Sequence, residues 1–132
     1  MPETETSEIH YETSDVEIDI RETVVRGDAP SIFIVIPAYN EETVIKDVIA
    51  EIRRAGYGNI LVVDDGSKDT TYEKAKETGV LTLRHTLNRG KGAATKTGIE
   101  AAKLKNADII VTMDGDGQHS PADIEKLVAP IR

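Results

Sequence analysis

From Ser31 onward, short apolar runs alternate with longer stretches in which apolar residues recur at helical spacing. The runs predict strands over 32–36 (IFIVI), 59–63 (NILVV), 80–84 (VLTLR) and 108–113 (DIIVTM). The stretches between and after them predict helices near 41–54, 69–78, 91–105 and 121–129. In the first of these, Val44, Ile45, Val48, Ile49 and Ile52 form an apolar stripe with charges between them, and Gly56 and Gly58 end it. Runs that are apolar at nearly every position are covered on both faces. Strand-helix alternation with short connections then implies right-handed crossovers and a mainly parallel sheet with helices on both faces, an α/β class.

The pattern upstream is different. Residues 1–14 are polar and acidic with little to bury, so disorder is expected there. Over 16–25, Val16, Ile18, Ile20 and Val24 alternate with polar residues. That period predicts an extra strand pairing with a sheet edge or a neighbouring chain, as in a homodimer, with a solvated tail as the alternative. The division is an acidic N-terminal tail over 1–30 and a folded body over 31–132.

Charge sharpens this division. The formal net charge is -8, but residues 1–30 carry nine acidic and two basic side chains while the other 102 carry fifteen and fourteen. A nearly neutral body gives no electrostatic reason to expect a nucleic-acid partner, and the absence of tryptophan removes the best base-stacking side chain. Cysteine is absent, which excludes disulfides and thiolate-held metals and agrees with a cytoplasmic location. No stretch approaches the roughly 20 apolar residues of a membrane span.

In a doubly covered parallel sheet, ligands gather beyond the carboxyl ends of the strands. Three strands end in polar, turn-rich sequence: PAYNEE, DDGSKDT and DGDGQHSP. In the last, Asp114, Asp116 and the Gln118 amide form an all-oxygen cluster suited to Mg2+ or Mn2+. The spacing also imitates a calcium loop, but His119 stands where the turn glycine belongs and a strand precedes it instead of a helix. Ser120 followed by Pro121 predicts the next helix start. In PAYNEE, Asn40 is expected to cap a helix beginning at Glu41, and Tyr39 is placed to lie against a nucleoside. Asp64 and Asp65 are adjacent and point apart, so one can face the crevice while the other supports its loop, the alternative being that either is only a turn or cap acceptor; Asp69 can cap the helix that follows.

The stretch LNRGKGAATKTG brings Arg89 and Lys91 to a helix N-terminus, either to meet an anion or as solvated charges. It is neither a Walker A loop nor a full dinucleotide fingerprint. A diphosphate within about 4 Å of a carboxylate is repelled by roughly 4 kcal/mol per charge pair at an effective dielectric of 20. Acidic loops converging on a phosphate therefore require a cation between them.

Together, IVIPAYNEE, ILVVDDGSKDTT, LNRGKGAATKTGIEAA and DIIVTMDGDGQHSPADI resemble the family 2 glycosyltransferases in order and spacing over roughly 32–125. The pairing of RGKG with DGDGQH is most similar to the branch that uses polyprenyl phosphates, such as dolichyl-phosphate mannose or glucose synthases. The resemblance implies a Rossmann-like GT-A nucleotide-sugar-binding fold and inverting transfer of a hexose from a GDP- or UDP-sugar to a polyprenyl phosphate. It implies that Pro37, Ala38, Tyr39 and Glu41 line the nucleoside pocket, with Asp65 on the base or ribose and Asp64 nearby. It further implies that Asp114 and Asp116 are the DxD motif, with Asp116 the stronger metal ligand and the catalytic carboxylate and Gln118 completing the site. Lys91 and Arg89 would face phosphate.

Family catalytic domains continue beyond the DxD helix. The 132 residues are accordingly expected to be a donor-binding N-terminal half, inactive alone, with membrane contact and acceptor residues supplied by later segments at the cytoplasmic face. Two other readings are a stand-alone nucleotide-sugar sensor and a nucleotidyltransferase.

Overall fold

The computed structural model describes residues 4–13, 16–24, 29–117 and 120–131, with side chains described from 29 onward. Among the described residues six strands form one sheet: β1 (Thr4–Thr13), β2 (Val16–Val24), β3 (Ile32–Ala38), β4 (Asn59–Asp64), β5 (Leu81–Arg84) and β6 (Ile109–Met113). Four helices accompany them: α1 (Ile45–Arg54), α2 (Thr71–Glu77), α3 (Lys91–Leu104) and α4 (Pro121–Val128). The spatial order is β1-β2-β6-β3-β4-β5. Strands β6, β3, β4 and β5 run parallel, and the β1-β2 hairpin is antiparallel, with β2 alongside β6 from Val16↔Met113 to Ile20↔Ile109.

The side-chain alternation of each strand decides which helix it meets. Ile34, Ile36, Ile60, Val62, Val111 and Met113 face α1, α2 and α4 through Ile45, Ile49, Ile52, Ala75, Ile124 and Val128. On the opposite face Val35 and Ile110 meet Ala102 of α3, and Leu61 and Val63 meet Ala94. The small residues of α3 let it lie close: a Cβ on Gly98 would stand 2.2 Å from Val35 Cγ1.

Connections β3-α1-β4-α2-β5 progress outward along one face, whereas α3 returns across the other face to place β6 on the far side of β3. The winding direction reverses between β3 and β6, which is where a ligand crevice opens in sheets of this kind.

Two expectations are corrected. Residues 4–13, expected to be disordered, form β1, whose backbone pairs with β2; threonines, Ile9 and Tyr11 suit an extended chain even where no apolar face is required. Helix α1 begins at Ile45 instead of Glu41, with Val44 as its N-cap; residues 41–44 form a turn in which the Glu41 carbonyl accepts the Val44 and Ile45 N–H groups, and the Asn40 side chain accepts the Lys68 N–H instead of capping a helix. At α4 the capping box of Ser120 and Asp123 is present with Pro121 in the first turn.

Candidate donor and metal site

A cleft of about 310 Å³ lies at the reversal point, within the size range of small-ligand sites. Strand β3 contributes Pro37 and Ala38 at its carboxyl end, followed by Tyr39 and Glu41; β6 contributes Asp114, Gly115 and Asp116. Asp65 after β4, and Asn88, Gly90, Lys91 and Ala94 at the start of α3, complete the lining. Asp65 and Asp116, 51 positions apart in sequence, thus meet at one rim. Gly115 allows this closeness, since a Cβ there would stand 3.2 Å from Ala38 Cβ.

Asp65 is 3% exposed, and its carboxylate is an anchor for the α3 loop. It accepts the backbone N–H of Arg89 at 2.9 Å and of Gly90 at 2.8 Å, and its Oδ1 lies 2.9 Å from His85 Nδ1. Burial pushes the Asp65 carboxyl up, but the Arg89 N–H, His85 and the Gly90 N–H together outweigh it and hold it below its ordinary value. An ionised Asp65 only accepts, so His85 Nδ1 donates to it, and a neutral His85 accepts the Thr97 hydroxyl at Nε2, 2.9 Å away. Three donors on one carboxylate therefore fix the loop that presents Gly90 and Lys91.

Asp64, expected nearby, and Arg89, expected to face phosphate, are not among the residues lining the cleft. Asp64 is fully buried, its Oδ2 accepting the Ser67 N–H at 3.2 Å and lying 3.6 Å from Arg84 Nε. Adjacent residues leaving an extended strand point to opposite sides, and Asp64 took the inner one. Arg89 is anchored by its backbone, with its side chain exposed.

The loop carrying Tyr39 and Glu41 is tied to the loop after β4. Ser67 Oγ accepts the Asn40 N–H at 2.8 Å, Asn40 Oδ1 accepts the Lys68 N–H at 2.9 Å, and Thr71 Oγ1 accepts the Glu41 N–H at 2.8 Å. Asp69, expected to cap α2, lies one residue before its N-cap Thr70 and accepts the Thr71 N–H and also the Glu42 N–H. Sequence reasoning missed Asn88, Ala94, Gly115, His85, Ser67 and Thr71. Asn88, Gly115, Ser67 and Thr71 stand inside the flagged motifs, but His85 lies outside them and carries no spacing signal; only the folded sheet brings it into place.

Electrostatics single out the acidic rim. Burial raises the Glu41 carboxyl above its ordinary value, and Asp116, Asp69 and Asp114 push it further the same way. Lys91 Nζ lies 2.6 Å from Asp114 Oδ1 across the cleft. Among the described residues no group of three His, Cys, Asp or Glu side chains is gathered as a ligand set. Asp114 and Asp116 offer oxygen donors at a site with excess negative charge, which fits a hard divalent cation that takes its remaining ligands from water and phosphate. Gln118, the third expected ligand, lies outside the described residues.

Residues 33–132 match the model of the glycosyl transferase family 2. This chain belongs to that family. It is 53% identical over 100 residues to an uncharacterized protein of Methanocaldococcus jannaschii, covering 76% of this chain and 41% of that protein. To the UDP-N-acetylglucosamine–dolichyl-phosphate N-acetylglucosaminyltransferase of Methanococcus voltae it is 44% identical over 117 residues, covering 76% and 47%. The solved glucosyl-3-phosphoglycerate synthase of Mycobacterium tuberculosis, in complex with Mn2+, UDP and glucosyl-3-phosphoglycerate, superposes with a TM-score of 0.63 at 28% identity, covering 77% of this chain and 39% of that one. The α/β fold is thus that of the family 2 glycosyltransferases, and the relatives include the polyprenyl-phosphate branch. This chain spans less than half the length of each relative.

Proposed function

We propose that the chain is the donor-binding half of a metal-dependent family 2 glycosyltransferase, moving a sugar from a GDP- or UDP-sugar to a polyprenyl phosphate by an inverting displacement. The observation that carries this reading is the meeting of Tyr39, Asp65, Lys91, Asp114 and Asp116 on one cleft at the winding reversal. A relative named for a UDP-sugar and dolichyl phosphate, and neighbours solved with UDP or with GDP-mannose and Mn2+, support it.

In this reading Pro37, Ala38 and Tyr39 form the wall for the nucleoside, with Asp65 at its edge. The α3 N-terminus and Lys91 receive the diphosphate, where backbone N–H groups and the helix dipole favour negative charge. Asp114 and Asp116 would hold Mg2+ or Mn2+, which when bound supplies Lewis-acid stabilisation of the departing diphosphate. A phosphate acceptor is already anionic, so it needs no strong general base to attack the anomeric carbon.

Calorimetric titration of UDP and GDP with and without Mn2+ tests the reading. UDP is expected to bind with Mn2+-dependent affinity, and Asp116→Ala is expected to lose the metal-dependent part, by about ten-fold or more for a lost ligand. Equal Mn2+-dependent affinity in Asp116→Ala overturns it.

A further inference from the structure

We propose that Lys91 is the built-in counter-ion of this site: its ammonium holds Asp114 while no divalent cation is bound, and moves to the donor's diphosphate when one arrives. The inference rests on the donor-site reading above. Lys91 is the first residue of α3, a helix with no acidic side chain in its first turn. A cation is disfavoured at that end of a helix, so an anionic partner must hold the ammonium there. The structure supplies Asp114, 2.6 Å away, on the opposite wall of the cleft.

The two side chains differ in freedom. That of Asp114 is 19% exposed, while that of Lys91 is 63% exposed on a flexible stem. Lys91 can therefore leave, whereas Asp114 stays. The carboxylates that push Glu41 up, Asp116 and Asp114 among them, form a cluster in which the ammonium offsets part of the excess charge. A divalent cation on Asp114 would repel that ammonium, and a diphosphate at the α3 N-terminus would attract it. The exchange leaves each anion with one cationic partner, and it makes metal and nucleotide each strengthen the binding of the other.

The test measures Mn2+ affinity in the absence of nucleotide, from the paramagnetic resonance signal of free Mn2+, for wild type, Lys91→Met and Lys91→Arg. UDP is then titrated into each Mn2+-loaded protein. Lys91→Met is expected to bind Mn2+ about two- to five-fold more tightly than wild type, the range set by loss of a half-exposed ion pair, and to bind UDP more weakly once loaded. Lys91→Arg is expected to keep the wild-type Mn2+ affinity. A misfolded variant cannot mimic tightened Mn2+ binding. Unchanged or weaker Mn2+ binding in Lys91→Met, with Mn2+-dependent UDP binding intact in wild type, overturns the counter-ion role alone. Wild type that binds no Mn2+ overturns both this role and the donor-site reading.

Discussion

At the scale of the residue, Asp65 carries the most structural consequence. Its carboxylate gathers the Arg89 and Gly90 N–H groups and His85, so it decides whether the α3 loop faces the cleft. Replacement by asparagine keeps the size but removes the charge, leaving an amide N–H₂ against backbone donors. Asp65→Asn is expected to lose about 1–3 kcal/mol of stability, the cost of charge-assisted hydrogen bonds to a buried group. The pH dependence has a defined sign. A carboxyl held below its ordinary value stabilises the fold above the unfolded pKa of ~3.9, and that increment disappears as pH falls through the folded value. Urea denaturation at falling pH should show the difference between wild type and Asp65→Asn constant above the unfolded value and shrinking once pH drops below it. A difference that stays constant as pH falls below ~3.9 would contradict the assignment.

The neighbouring pair also shows what sequence can resolve at this scale. Alternation along a strand says that Asp64 and Asp65 diverge, but not which enters the cleft. The choice is made by partners far along the chain: Arg84 and Ser67 receive Asp64, while His85 and the 89–90 backbone receive Asp65.

At the scale of the element, the apolar periodicity located β3, β4, β5 and β6 and four helices to within a few residues; for β3, β4 and β6, burial on both faces leaves little freedom in composition. Periodicity says less about ends and edges. Asn40, expected to cap a helix at Glu41, turns its side chain to the Lys68 N–H of another loop, and α1 starts at Ile45 after an intervening turn. Strand β1 pairs through its backbone, so its polar sequence carries no stripe to read. Helix α3 was legible as a helix, yet its closeness to the sheet depends on Gly98. Gly98→Ala gains roughly 1 kcal/mol of helix propensity. It also drives a methyl into Val35, which is wholly buried and cannot turn aside. Overpacking of about 1–3 kcal/mol wins, so the variant should show a lower urea midpoint and weaker UDP binding, since the Gly90–Lys91 end moves with the helix. An unchanged midpoint would show that α3 has room the structure denies.

At the scale of the whole molecule, function follows from where the winding reverses. Return of α3 across the second face puts β6 beside β3, and with it the acidic turn beside Tyr39 and Glu41. The strand ends named by the alternation of elements are the ends that line the cleft, because parallel strands present their carboxyl termini together. The opposite end of the sheet, at Ser31, Tyr57 and Asn59, lines a separate hollow to which no charged side chain contributes among the described residues.

Paramagnetic broadening tests this arrangement most directly. Backbone amide spectra of the chain with saturating UDP and trace Mn2+ should lose the signals of Tyr39, Glu41, Gly90, Lys91, Asp114 and Asp116 together, while Ser31, Tyr57 and Asn59 remain sharp. Broadening centred on Ser31, Tyr57 and Asn59, or broadening of the Asp114–Asp116 turn that leaves Tyr39 and Gly90 untouched, would contradict a single metal and nucleotide site.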